Sequence, residues 1–421
     1  MHDHLLLSPE DARSLQSCVH CGLCLPSCPT YLISGKEADS PRGRLLLMKS
    51  LDRQAWADPS AHFGHLDSCL GCRACETACP SGVPYGDLLE QVRARQREQY
   101  QPLPFRQRVT LAWTTSRRRL IWLTALLRQL QKLRLDRLVI ALRLLPAALR
   151  VQLAGLPPLP ARSFSQAALE DFAPAHPAGK MRGRVALFTG CVMDSWYAEV
   201  HAATVRVLRW NGYGVTVPVE QVCCGALHSH AGEEQTGALL LEANRVAFGA
   251  VDAQAVVVNS AGCGAQLQKL GNGEPALEIV DVTVWLDRQG LVPPVSPLPG
   301  RTAYDAPCHL RHAQRIKAEP ERLLALACAE LVPLDEAELC CGSAGLYSLG
   351  QPEYSRQLLA RKLQRISTAA PDRLVTANPG CQLQLQGGLR NTGSDLPVAH
   401  IMTVLDSAYS RDPAYRTAVM A

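Results

Sequence analysis

Two short runs of cysteine carry the clearest chemistry in the 421-residue chain. Residues 18–28 read C-VH-C-GL-C-LPS-C and residues 69–79 read C-LG-C-RA-C-ETA-C, each followed by proline. Both follow C-x2-C-x2-C-x3-C-P, a spacing that delivers thiolates to [4Fe–4S] clusters. Three cysteines at three-residue intervals wrap a loop around one face of an iron–sulfur cube. The fourth lies too far on to grip the same cube and crosses to the neighbouring one. The expected sets are Cys18, Cys21, Cys24 and Cys79 for one cluster, and Cys69, Cys72, Cys75 and Cys28 for the other. Zinc sites use C-x2-C pairs rather than four-cysteine runs. Neither Cys24 nor Cys75 is followed by the histidine of a haem attachment site. His20, inside the first loop, reads as a packing or hydrogen-bonding residue rather than a ligand.

The later cysteines form a repeat. Cys191 is followed after 31 residues by Cys223-Cys224-Gly225, and Cys308 after 31 residues by Cys340-Cys341-Gly342. Each copy then has a further Gly-Cys, Gly262-Cys263 and Gly380-Cys381, so the copies are offset by 117 residues, or 118 at the last cysteine. This periodicity reads as a duplicated domain. Each copy offers four thiols: Cys191, Cys223, Cys224 and Cys263, then Cys308, Cys340, Cys341 and Cys381. Four thiolates suffice for a third cluster or for zinc; the alternative is that these are small buried side chains that merely pack. His309, beside Cys308, could support a ligand through a hydrogen bond, or simply cap a helix or hydrogen-bond the backbone. Cys328 has no counterpart in the first copy and reads as core.

The elements that must position these residues differ along the chain. Ser8-Pro9-Glu10 and Ser40-Pro41 are helix starts. Tyr85, Leu88, Leu89 and Val92 form an apolar stripe on a third helix. Each repeat reads α/β. Short apolar runs at 185–188, 256–259, 302–305 and 374–378 read as strands ending just before Cys191, Cys263, Cys308 and Cys381, with helical patterns such as 196–210 and 354–366 between them. Strands alternating with helices imply a mostly parallel sheet with its cysteines in loops at strand ends. The expected fold class is α+β and multidomain: an N-terminal α-helical ferredoxin domain followed by a tandem pair of α/β cysteine-rich domains. The expected divisions are 1–100 for the ferredoxin part, 101–180 for a basic helical spacer and proline-rich irregular linker, 181–297 for the first repeat and 298–421 for the second.

Composition bounds the function. The chain is 47% apolar and 19% charged with a net charge of +5, which excludes wholesale disorder and gives no nucleic-acid signature. Seventeen cysteines in a chain of this length, with no signal-peptide pattern at MHDHLLLSPEDARS, point to a reducing compartment and a cytoplasmic protein. No run reaches the roughly 18 apolar residues of a membrane span. No G-x-G-x-x-G follows a predicted strand and there is no P-loop, so no dinucleotide pocket and no catalytic residues are expected in this chain. Residues 101–150 hold eleven Arg or Lys against one acid, Asp136. Leu123, Leu126, Leu127, Leu130 and Leu133 are expected on one helix face, with Arg128 and Lys132 off it. Such a helix docks its leucines on protein, or lies against the inner face of the cytoplasmic membrane as a peripheral contact.

Taken together, these motifs resemble the iron–sulfur subunits of membrane-associated flavin dehydrogenases, and most closely the glycolate oxidase iron–sulfur subunit family. The stretches that carry the likeness are CVHCGLCLPSCPTY (18–31), SPRGRLLLMK (40–49), CLGCRACETACPSGVPYGDLL (69–89), CCGALHSH (223–230), NSAGCGA (259–265), CHLRHAQ (308–314), CCGSAGLYSL (340–349) and TANPGCQ (376–382). The resemblance implies two [4Fe–4S] clusters and FAD carried only on partner dehydrogenase subunits. It further implies glycolate oxidation to glyoxylate on that flavin and electron delivery to a quinone or other acceptor. Lactate and glycerol-3-phosphate dehydrogenases have related subunits, and so does heterodisulfide reductase. The latter has a fifth cysteine three residues before the last one of each repeat; Ser260 and Asn378 stand there in this chain.

Overall fold

Proline opens three N-terminal helices, α1 (Pro9–Gln16), α2 (Pro29–Ser34) and α3 (Pro41–Asp52), in the computed structural model. At that position its missing N–H costs no helical hydrogen bond. The structure describes residues 7–52, 60–142, 144–167, 170–176, 178–272 and 278–419; Arg143 and Pro177 lie outside them. The Ser8 hydroxyl caps α1 by accepting the Asp11 N–H at 3.2 Å. Helices α4 (Ser60–Asp67), α5 (Ala74–Thr77) and α6 (Tyr85–Gln99) complete an all-helical unit among the described residues. Leu45, Met48, Phe63, Leu66, Tyr85, Leu88, Leu89 and Val92 form its core, with Cys69 and Cys75 packed into it.

Among the described residues, the basic part of the spacer forms four helices: α7 (Phe105–Thr114), α8 (Arg117–Lys132), α9 (Leu135–Ala141) and α10 (Ala147–Gly155). The expected single leucine face of α8 is divided. The helix docks through Leu120, fully buried, and Thr124, also buried; Leu123, Leu127 and Leu130 are half-buried, and Leu126 and Leu133 face solvent. The stretch expected to be irregular is also structured. It carries the end of α10, which packs on the helix Pro379–Asn391, a helical turn at Phe164–Ala167 and a short strand, β1 (Asp171–Phe172).

The two repeats share one topology. In the first, β2 (Gly183–Phe188), β3 (Tyr213–Thr216), β4 (Val256–Val258) and β5 (Ile279–Asp281) order as β3-β2-β4-β5, with β1 added antiparallel at the β3 edge. In the second, β6 (Leu298–Tyr304), β7 (Cys328–Val332), β8 (Arg373–Thr376) and β9 (Val398–His400) order as β7-β6-β8-β9. Apart from β1 every pairing is parallel. The central strands β2, β4 and β8 are mostly buried and apolar, as a sheet covered by helices on both faces requires, whereas β6 and the edge strand β7 are partly exposed. One core spans the repeats, including Val185, Val257, Leu310, Val375 and Ile401.

Candidate metal centres and the cavity between the repeats

In the N-terminal unit each cysteine run bends in the same way. The residues flanking the second cysteine have left-handed backbone: His20 (φ 56°) and Gly22 (φ 83°) in the first run, Gly71 (φ 65°) and Arg73 (φ 62°) in the second. His20 therefore acts through its backbone. Its ring is exposed, contrary to a packing role, and its carbonyl accepts from Arg42 Nη1 at 3.2 Å.

The loops sort their thiols into two cavities. Cys18, Cys21, Cys24 and Cys79 line the first, with Cys75 at its wall. Cys28, Cys69, Cys72 and Cys75 line the second, with Arg44 and Tyr85. The fourth cysteine of each run thus stands with the first three of the other. Among the described residues no three His, Cys, Asp or Glu side chains close on a single ion; a cube holds its thiolates farther apart than one ion does. The first cavity lies near the surface, with Cys21, Val19 and Leu23 exposed, whereas Cys28, Cys69, Cys72 and Cys75 are buried.

Buried cations offset the negative charge of the inner thiols. Arg44 is fully buried; its Nε donates to the His65 carbonyl at 2.7 Å and its Nη2 to Thr30 and Ser68 hydroxyls, each at 2.9 Å. Burial works against ionisation of Cys69, but Arg44 and Arg93 outweigh it and hold the thiol below its ordinary range. The Tyr85 hydroxyl, 3.5 Å from Cys69 Sγ, and the Gly71 N–H, at 3.4 Å, add to this. Burial pushes Cys72 and Cys75 well up. Thiols so divided ionise together only around added positive charge, and four of them around each of two cavities fit a pair of iron–sulfur cubes.

The eight repeat cysteines all line one cavity between the two copies, with about 1470 Å³ of empty space including its mouth. Cys191 and Cys308 follow β2 and β6, the CCG pairs follow β3 and β7, and Cys263 and Cys381 follow β4 and β8. The two sheets thus point the same strand ends at each other. The glycine of each CCG has φ 83°, and a Cβ there would lie 2.8 Å from the Gly237 carbonyl oxygen in the first copy and 2.9 Å from that of Ser355 in the second. Only glycine makes that turn without strain.

Neighbouring thiols in the cavity stand within hydrogen-bonding distance of one another. Cys191 Sγ lies 3.6 Å from Cys223 Sγ. Hydrogen bonding from its thiol neighbours holds Cys223 down while Cys191 and Cys224 are pushed up; in the second copy Cys308 and Cys341 are held down, and Cys340 and Cys381 pushed up. Ser260 and Asn378 stand where further thiols would be, and Asn378 bridges the copies instead: its side-chain oxygen accepts the Gly262 N–H at 3.2 Å. His309 Nδ1 lies 3.5 Å from Cys308 Sγ, so it supports the thiol rather than capping a helix. Cys328 is buried at the start of β7, away from the cavity.

Several residues that shape these sites stand on helices where a sequence pattern hides them. Arg44 occupies the i position of an i, i+4, i+7 stripe with Met48 and Leu51, and the lone charge on that stripe is the available signal. Lys362 likewise faces the core beside Leu358, Leu359 and Ile366 and pairs with Asp305 at 2.9 Å, with neither side chain more than 3% exposed.

Residues 14–83 match the 4Fe-4S dicluster domain family, and residues 185–268 and 302–386 each match the cysteine-rich domain family. The chain is 36% identical to the probable glycolate oxidase iron-sulfur subunit of Bacillus subtilis (strain 168), covering 91% of both chains. It is 31% identical to the glycolate oxidase iron-sulfur subunit of Escherichia coli (strain K12), over 94% of this chain and 95% of that one. The chain belongs to the glycolate oxidase iron–sulfur subunit family. A fumarate reductase (CoM/CoB) subunit from Methanothermobacter marburgensis is 29% identical over 96% of this chain and 74% of its own. Like others of the glycolate oxidase type, the chain is an iron–sulfur subunit of an oxidoreductase, with [4Fe–4S] clusters in a ferredoxin-type domain. Among the described residues no helix is long and apolar enough to cross a membrane.

Proposed function

We propose that the chain is the electron-transfer subunit of a glycolate dehydrogenase. FAD and the glycolate-oxidising site lie on a partner subunit, and a quinone or another carrier is the final acceptor. Cys18, Cys21, Cys24 and Cys79 would hold one cluster and Cys69, Cys72, Cys75 and Cys28 the other. The observation that carries this reading is the sorting of the eight N-terminal thiols into two adjoining cavities, one at the surface and one inside. Bound clusters supply one-electron steps that link a two-electron flavin to a distant acceptor.

The chain's own residues serve that role. Val19 and Leu23, 69% and 59% exposed beside the outer cavity, offer a docking rim for a redox partner. Arg44 and Arg93 balance charge at the inner cavity. Cys72 shares a buried cluster with Cys308 and Cys340 of the second repeat, which leads from the inner cavity to the inter-repeat one. We place the complex on the cytoplasmic side, where thiols stay reduced. The test is to mix the anaerobically purified chain with its flavoprotein and glycolate. The visible cluster absorbance should bleach, and the chain alone should leave glycolate unoxidised. Glycolate oxidation by the isolated chain would refute the reading.

A second reading is favoured by one observation: eight cysteines around a single cavity could turn over a disulfide. The absence of cysteine at Ser260 and Asn378 weighs against it. Disulfide turnover that is lost in Cys340→Ala and independent of the flavoprotein would establish it.

A further inference from the structure

We propose that α8 and α9 form a monotopic membrane-binding face that lies on an anionic lipid bilayer. Exposed apolar side chains are concentrated there. Of the twenty-two exposed large hydrophobic residues among those described, eleven fall between Phe105 and Leu149, about a tenth of the chain. That density exceeds the scatter of single exposed leucines expected on any surface. Trp122 (77% exposed), Leu126 and Leu133 run along the outer side of α8, opposite its docked residues Leu120 and Thr124. Leu135, Leu138 and Leu142 continue the stripe at i, i+3 and i+7 along α9.

Charge complementarity selects the occupant. Arg118, Arg119, Lys132, Arg134 and Arg137 flank the stripe and are exposed. Among the described ion pairs, only Arg117 of the basic residues from 101 to 150 is engaged, at 3.9 Å from Asp194. The sole acid of the segment, Asp136, is half-buried. Long basic side chains beside exposed Trp and Leu suit the boundary between lipid headgroups and acyl chains, where the stems bury and the charges meet phosphate. A protein partner would need its own acidic, apolar groove. A bilayer presents that chemistry everywhere.

The face also has a route to the redox interior. Trp196, on the turn that follows Cys191, donates its Nε1–H to Thr124 Oγ1 of α8 at 3.0 Å. Thr110 and Thr114 of α7 and Gln152 of α10 line the inter-repeat cavity itself. The lipid surface would therefore lie about one helix diameter, roughly 10 Å, from that cavity. A lipid-dissolved acceptor would be within reach of it.

The test is co-sedimentation of the full-length, cluster-loaded chain with vesicles, which needs no catalytic activity. The chain should sediment with equimolar phosphatidylcholine and phosphatidylglycerol, and about tenfold more weakly with phosphatidylcholine alone or in high salt. Trp122→Glu/Leu126→Glu/Leu133→Glu should abolish binding. Arg118→Gln/Arg119→Gln/Lys132→Gln should lose the preference for anionic lipid while keeping the cluster absorbance. Failure of the parent chain to bind either vesicle would overturn the proposal. So would triple variants that bind like the parent, or that keep vesicle binding while losing the flavoprotein in a pull-down.

Discussion

The Tyr347 hydroxyl, in the second repeat, donates to the Ser68 carbonyl 2.8 Å away, one residue before Cys69. The bond fastens the loop after the second CCG to the inner thiol cavity. Thr77 and His312 Nδ1 meet at 3.0 Å on the same boundary, and Tyr354 donates to Asp39 at 3.1 Å. Tyr347→Phe removes one buried hydrogen bond and should cost about 1 kcal/mol. Chemical denaturation of the loaded protein measures it. A change under a few tenths would mean that the bond contributes nothing.

Arg44 sets the electrostatics of the inner cavity. A nearby positive charge favours the reduced, more negative state of a cluster, so Arg44→Met should lower that cluster's reduction potential by on the order of 50–100 mV. Arg44→Lys should keep most of the potential and lose stability, because it cannot bond Thr30, Ser68 and His65 at once. Redox titration followed by electron paramagnetic resonance separates the two effects. An unchanged potential in Arg44→Met would show that its charge is screened from the cluster.

Crossing of the fourth cysteines predicts how single variants group. Cys79→Ala should leave the same residual cluster spectrum as Cys21→Ala, and Cys28→Ala the same as Cys72→Ala. If Cys28→Ala grouped with Cys21→Ala instead, each run would close on its own cube.

Two buried histidines, His400 at the joint between the repeats and His201 within the first repeat, predict a pH dependence. His400 Nε2 donates to the Asn259 carbonyl at 2.9 Å, and His201 Nε2 donates to the Thr189 carbonyl at 2.9 Å. Burial is the main cause that pushes His400 down to about 3 and His201 down to about 4. In the unfolded chain both titrate near 6.5. Between those values the unfolded state binds the extra protons, so stability falls as pH drops below about 6.5 and keeps falling towards 3–4. By pH 5 the loss should reach about 2 kcal/mol for each histidine. Urea unfolding between pH 5 and 7.5 should show the slope, and His400→Gln should flatten it. A flat parent profile would contradict the buried neutral state.

The cysteine spacing made the thiol sets legible because cluster chemistry fixes ligand intervals along the chain. The 117-residue offset likewise revealed two equivalent α/β units. Strand runs such as Val256–Val258 were visible as short apolar stretches bounded by turns. What lies across the chain was hidden. No local pattern brings Cys308 beside Cys72, or puts all eight repeat thiols around one cavity, since that follows from how the two sheets face each other. Strand β1 was missed because two residues, Asp171 and Phe172, give no periodicity and pair only at a sheet edge. On α8 the leucine spacing suggested one apolar face, docked on protein or laid on a membrane, but the helix docks through Leu120 and Thr124, with Thr124 accepting from Trp196, and turns Leu126 and Leu133 outward.

The most direct measurement is iron and acid-labile sulfide per chain in anaerobically prepared protein. Two cubes predict about eight irons and eight sulfides, rising to about twelve of each if the inter-repeat cavity holds a further cube. Both N-terminal sets should be lost together from a variant lacking Cys21 and Cys72. Protein that is colourless, with zinc or free thiols at those eight cysteines, would contradict the account.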